Sequence, residues 1–167
     1  MPNTLWNNID NSEYSSDKSL YQSHLMEQYK IYVEMADRVS SRRNLANVFF
    51  LTLNTTMLGA VGFAFEKIQL INPKWLIAFP IIGLLLMNLI WWWLVRSYRN
   101  LNTAKYAVLR KLSSKLPTSP WAFEWVELGE GKDKKKYLPL TKLEMYIPMI
   151  FGLLYLLVGI YVIFLMK

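Results

Sequence analysis

The sequence predicts an all-α integral membrane protein. Three transmembrane helices are expected, with a long N-terminal cytoplasmic helix before them and a cytoplasmic helix plus short hairpin between spans two and three. Three observations predict this class. Charged residues form 19% of the 167-residue chain, yet Asn44–Phe65, Trp75–Val95 and Met145–Met166 hold 22, 21 and 22 residues without one. At a rise of ~1.5 Å per residue, each run crosses a hydrocarbon core of ~30 Å. Lys and Arg are unevenly placed: five in residues 1–43, two in 66–74, eleven in 96–144 and one at Lys167. Cytoplasmic segments carry that excess, so the N-terminus and the 96–144 segment are read as inside, the 66–74 loop and the C-terminus as outside.

The N-terminal segment, residues 1–16, is rich in Asn and Ser and reads as loose. It has no basic n-region and no apolar h-region, so a cleaved signal peptide is not expected. From Asp17 the pattern is helical, with neither Pro nor Gly between Pro2 and Gly59. Across residues 17–43, Leu25, Tyr29, Tyr32, Ala36 and Val39 recur at spacings of 4, 3, 4 and 3. That is the period of a helix–helix seam, within the chain or between subunits. Continued through Phe65, the helix would hold 49 residues and run ~73 Å.

The first span, residues 44–65, has a polar face. On a helical wheel Asn44, Asn47, Asn54 and Thr55 share one sector and Phe49, Phe50, Leu53, Met57 and Ala64 the other. Side-chain amides in lipid need partners, so they either bond to neighbouring helices or subunits or line a water-filled path. Thr55, Gly59 and Gly62 fall at i, i+4, i+7 and Gly152 and Gly159 share a side of the third span, both patterns that allow close backbone approach. Residues 66–74 form the outer loop. Asn72 and Pro73 are placed to cap and start the second span, residues 75–95, which Pro80 should bend. Arg42 and Arg43 before the first span, and Trp91, Trp92, Trp93, Arg96 and Arg99 at the end of the second, are expected at the membrane interface.

Helical periodicity continues through Leu101, Ala104, Val108, Leu112 and Leu116 and stops before Pro117. In the following stretch Trp121, Phe123 and Trp125 alternate before Gly129 and Gly131, which predicts a short hairpin. Thr141 and Glu144 match a capping box that starts the third span, residues 145–166. Thirteen Leu, Ile, Val or Phe residues make this run the most apolar, with an insertion energy of about −5 kcal/mol. Pro148 should bend it by freeing the Glu144 carbonyl.

The composition excludes much chemistry. There is no Cys and a single His, His24, hence no disulfide framework, no thiolate nucleophile and no Cys-type zinc site. Gly129-Glu-Gly-Lys132 lacks the spacing of a phosphate loop. Glu124, Glu127, Glu130 and Asp133 lack calcium-loop spacing and read as solvated surface. Neither a cofactor nor catalysis is expected, and the formal charge of +7 is explained by topology rather than by nucleic acid. Lys134, Lys135 and Lys136, with Arg96, Arg99, Arg110 and Lys111, face anionic headgroups or simply set orientation.

Two stretches carry a family resemblance: YQSHLMEQYKIYVEMADRVSSRRNLANVFFLTLNT at 21–55 and EWVELGEGKDKKKYLPLTKLEMYIPMIFGLLY at 124–155. They resemble the RipA family of small octameric integral membrane proteins from bacteria. The resemblance implies a bacterial inner-membrane homo-oligomer, an octamer, with no known catalytic activity and no assigned molecular function. A looser similarity is to two-span effector domains of bacterial defence systems, proposed to form pores, from which the third span departs. The expectation is a ring-like scaffold or sensor for a cytoplasmic protein partner. Its alternative is a gated pore lined by Asn47, Asn54 and Thr55.

Overall fold

A computed structural model describes residues 5–6, 18–68, 73–133 and 135–165. Among these residues four α-helices carry the fold: α1 Lys18–Ile68, α2 Ala78–Ser113, α3 Pro120–Glu127 and α4 Leu140–Ile160. Short 3-10 turns cover Lys74–Ile77 and Gly129–Gly131, and a π-helical turn, Tyr161–Leu165, ends the third span. The described residues contain no strand. Three helices are long and apolar enough to cross a membrane, with apolarity rising from α1 to α2 to α4. That order follows the count of Asn and Thr side chains in the three charge-free runs, six, one and none.

Helix α1 runs without interruption through Ser40 and Ser41 into the first span, as the absence of Pro and Gly before Gly59 allows. Helix α2 likewise carries the second span on to Ser113. The chain divides into two compact units, Met1–Ser41 with Asn100–Leu138 and Arg42–Arg99 with Pro139–Lys167.

In the first unit Leu25 and Ala36 are buried and Tyr29, Tyr32 and Val39 half-buried, so the 4-3-4-3 seam is the packed side of α1. It packs within its own chain: Asn102 donates to Ser40 Oγ at 3.2 Å, and Lys105 sits 5.3 Å over the Tyr32 ring. The α2 side of this core is shifted from the expected one. Asn102, Leu109, Leu112 and Ser113 are buried, whereas Leu101 and Ala104 are exposed. Hydrogen-bonding partners draw Asn102 and Ser113 inward, and an apolar-only pattern passes over them.

The expected hairpin is a helix. Trp121, Phe123 and Trp125 lie in α3, where Pro120 occupies the first helical position with Ser119 before it. Proline there is pre-set for a helix and loses no bond. Alternating aromatics within eight residues satisfied the strand pattern, but Trp121, Trp125 and Leu128 at i, i+4, i+7 satisfied the helical one as well, and they line a common cavity. The turn after α3 has left-handed backbone at Gly129, Glu130 and Gly131. A Cβ at Gly129 would meet the Asp133 Cβ at 3.0 Å, so both conformation and space call for glycine. Lys132, and more weakly Arg110, hold the Glu130 carboxyl below its ordinary pKa.

Two further expectations change. Pro80 lies in the first turn of α2, where no hydrogen bond is lost and no bend is needed. Pro73 precedes a 3-10 turn, and the cap assigned to Asn72 falls outside the described residues. Pro148 lies inside α4 and is buried.

Candidate functional site

The second unit gathers the polar residues of its spans into one core. Asn54 is fully buried. Its Nδ2 donates to Phe50 O at 2.9 Å, its Oδ1 accepts from Asn88 Nδ2 at 3.0 Å, and its backbone carbonyl accepts the Tyr155 hydroxyl at 2.9 Å. One residue of α1 thereby joins α2 and α4. Asn88 also donates to Leu84 O at 2.9 Å, while its own Oδ1 is buried without a partner among the described residues. Two turns earlier on α1, Asn47 Oδ1 accepts the Trp91 indole N–H at 3.0 Å.

Aromatic rings surround these amides. Trp91 stacks on Phe50 with centroids 5.6 Å apart and planes within 11°, and Phe151 lies 6.3 Å from Trp91 and 6.5 Å from Tyr155. Asn54 and Asn88 are buried beside these rings and Asn47 half-buried, and buried polar groups that are bonded internally cost little. Below this layer α2 and α4 approach closely, since a Cβ at Gly159 would lie 3.0 Å from Ile81 Cδ1. Gly152 has more room, its nearest neighbour being Leu85 at 4.0 Å.

The predicted oligomer or pore face therefore divides in two. Asn47 and Asn54 point at partners on their own chain. Thr55 is exposed and folds its hydroxyl back onto Leu51 O at 2.8 Å. A Cβ at Gly59 or Gly62 would meet nothing within 4 Å, and Asn44 is exposed. At ~100° per residue, Thr55, Gly59 and Gly62 stand ~80–140° around the helix from Asn54.

The interface group also divides. Trp93 is 70% exposed and Arg96 lies 5.3 Å over the Trp92 ring, as a membrane-interface pair would. Trp91, in contrast, is a core residue at 1% exposure. Its turn of α2 faces the amides because Asn88, Trp91 and Val95 repeat at 3 and 4. Arg42 is exposed. Arg43 reaches Glu144, Nε to Oε2 at 3.3 Å, with side chains 15% and 23% exposed. Arg99 extends toward the Met145 sulfur at 3.5 Å.

That ion pair replaces the predicted capping box. The position before α4 is Pro139, Thr141 lies inside the first turn, and no side chain caps the helix. With Pro139 before it the helix starts two residues earlier than a Thr141 cap allows, so the Glu144 carboxylate is released to Arg43. Sequence spacing alone missed this pair because the residues are a hundred positions apart. It missed Asn88 too, although a signal was present: Asn88 is the one side-chain amide in an otherwise apolar run from Trp75 to Val95.

No curated protein and no solved structure matches this chain. A family model, described as the octameric membrane protein family (8xMP), matches residues 26–164. The match takes in α2, α3, the three membrane-spanning helices and nearly all of the α1 seam, and the chain belongs to the octameric membrane protein family.

Proposed function

We propose that the protein is a non-enzymatic homo-octamer of the bacterial inner membrane, acting as a ring-like scaffold or sensor for a cytoplasmic partner. The N-terminus is inside and the C-terminus outside. The family supports assembly, and the distribution of Lys and Arg supports the orientation.

The observation that carries the reading is the division of the first span. Its amides bond to their own chain, whereas Thr55, Gly59 and Gly62 stay uncovered. Small residues at that spacing let a neighbouring helix approach closely enough for extensive van der Waals contact. Subunits meet there, and the internal use of Asn47 and Asn54 favours packing over an axial path lined by them. Arg42 and Arg96, both exposed, contact anionic headgroups, at about 1 kcal/mol each when near the surface.

Native mass spectrometry from mild detergent tests the assembly. A discrete species of eight subunits is expected, and a stable monomer or dimer would refute the ring.

A further inference from the structure

The first unit carries a half-open pocket of about 340 Å³ between α2, α3 and the segment after it, with Tyr106, Arg110, Trp121 and Glu124 of its lining exposed. Four aromatic residues line it, Tyr106, Trp121, Trp125 and Tyr137, together with Arg110 and Glu124. Its size is at the small end of ligand sites, and the lining, apolar walls with a few polar groups, is that of a site for a small molecule.

The arrangement of the rings selects the ligand shape. Tyr106 and Trp121 have centroids 6.1 Å apart and planes inclined by 52°. A nucleobase sandwiched between rings needs parallel walls about 7 Å apart, twice the carbon contact distance. Inclined walls instead form a corner, which suits a compact cation lying within ~6 Å of ring faces. The charges then set polarity. Arg110 and Glu124 both line the cavity, yet neither makes an ion pair within 4.0 Å among the described residues. A cavity with one cation, one anion and an aromatic corner is matched by a ligand carrying both opposite charges.

We propose that this cavity binds a small zwitterion with a methylated ammonium and an anionic group, of the phosphocholine class. The ammonium lies in the aromatic corner beside Glu124, and the anionic group meets Arg110. Methyl groups on nitrogen spread the charge over an apolar surface, so burial against Trp121 and Trp125 costs less than it would for a primary ammonium. The inference concerns one chain and stands apart from the subunit number.

Isothermal titration of the full chain in maltoside micelles with phosphocholine, choline and adenosine monophosphate tests it. Saturable phosphocholine binding is expected, weakened about tenfold by Trp125→Leu and by Glu124→Gln. Arg110→Gln should weaken phosphocholine and leave choline unchanged, a split that loss of folding would not produce. Glu124→Gln alters only an exposed carboxylate and keeps the test open if Trp125→Leu does not fold. Tighter binding of adenosine monophosphate, indifference to Arg110→Gln and Glu124→Gln, or no saturable binding up to roughly 10 mM phosphocholine would overturn the assignment. Nanodiscs of phosphatidylcholine compared with phosphatidylglycerol separate the sources. Loss of free phosphocholine binding only in phosphatidylcholine assigns the group to a lipid headgroup, and equal binding in both assigns it to a free solute.

Discussion

Replacing Asn54 and Asn88 by Leu, singly and together, measures the bond that joins the first two spans. The Asn54 Oδ1–Asn88 Nδ2 contact is 3.0 Å long and buried at both ends. In Asn54→Leu, one Asn88 N–H keeps Leu84 O and the other faces a methyl group. Interhelical hydrogen bonds in membrane proteins average ~0.6 kcal/mol and reach ~1.7. A buried donor left unpaired adds a cost within the ~1–3 kcal/mol range. Each single substitution should therefore destabilise by about 1–2 kcal/mol, and the double should fall short of their sum by about 1 kcal/mol. Reversible unfolding in mixed micelles, followed by tryptophan fluorescence, gives the four free energies. A coupling within about 0.3 kcal/mol of zero would refute the bond. Tyr155→Phe is the control: its hydroxyl goes to a backbone carbonyl that neither substitution removes, so it should add independently to Asn88→Leu. Liposome permeability should not change in Asn54→Leu, because that side chain faces its own chain.

The remaining predictions concern other contacts. Glu144→Gln or Arg43→Gln leaves a largely buried charge without its partner and should cost about 2 kcal/mol, with the double substitution recovering part of the loss in the same unfolding assay. Gly159→Ala should cost about 1–2 kcal/mol through contact with Ile81, Gly152→Ala should be near neutral, and Ile81→Ala should narrow the difference between them. Gly59→Leu with Gly62→Leu should leave the monomer's stability within about 0.5 kcal/mol, since nothing lies within 4 Å, but should shift native mass spectra away from the octamer.

The class of the protein was legible because lipid imposes a simple rule: long runs without charge, flanked by Lys and Arg. The seam Leu25 to Val39 was legible for a related reason, since a 4-3-4-3 repeat marks one side of a helix whatever covers it. Pattern could not choose the partner of that seam, and the answer lies in Ser40 and Tyr32 meeting Asn102 and Lys105. The polar face of the first span was visible, but its division was not. Asn54 and Thr55 are adjacent in sequence and fall at the two edges of one polar sector, and only Asn88 and Tyr155, on other helices, separate the inward residue from the outward one. Short segments were read least well. Trp121 to Trp125 fits two periods at once, and Thr141 with Glu144 has the spacing of a cap that the preceding Pro139 makes unnecessary.

Closing a ring requires each subunit to present two mating surfaces at a fixed angle, about 45° from one copy to the next for eight. A smooth apolar helix could roll about its axis in lipid at little cost and offer its glycines in any direction. Asn54 removes that freedom, because turning the helix would break bonds to two others. On the proposed assembly, stoichiometry is therefore an angle stored inside each subunit, and a substitution buried far from any neighbour could alter how many copies complete the circle.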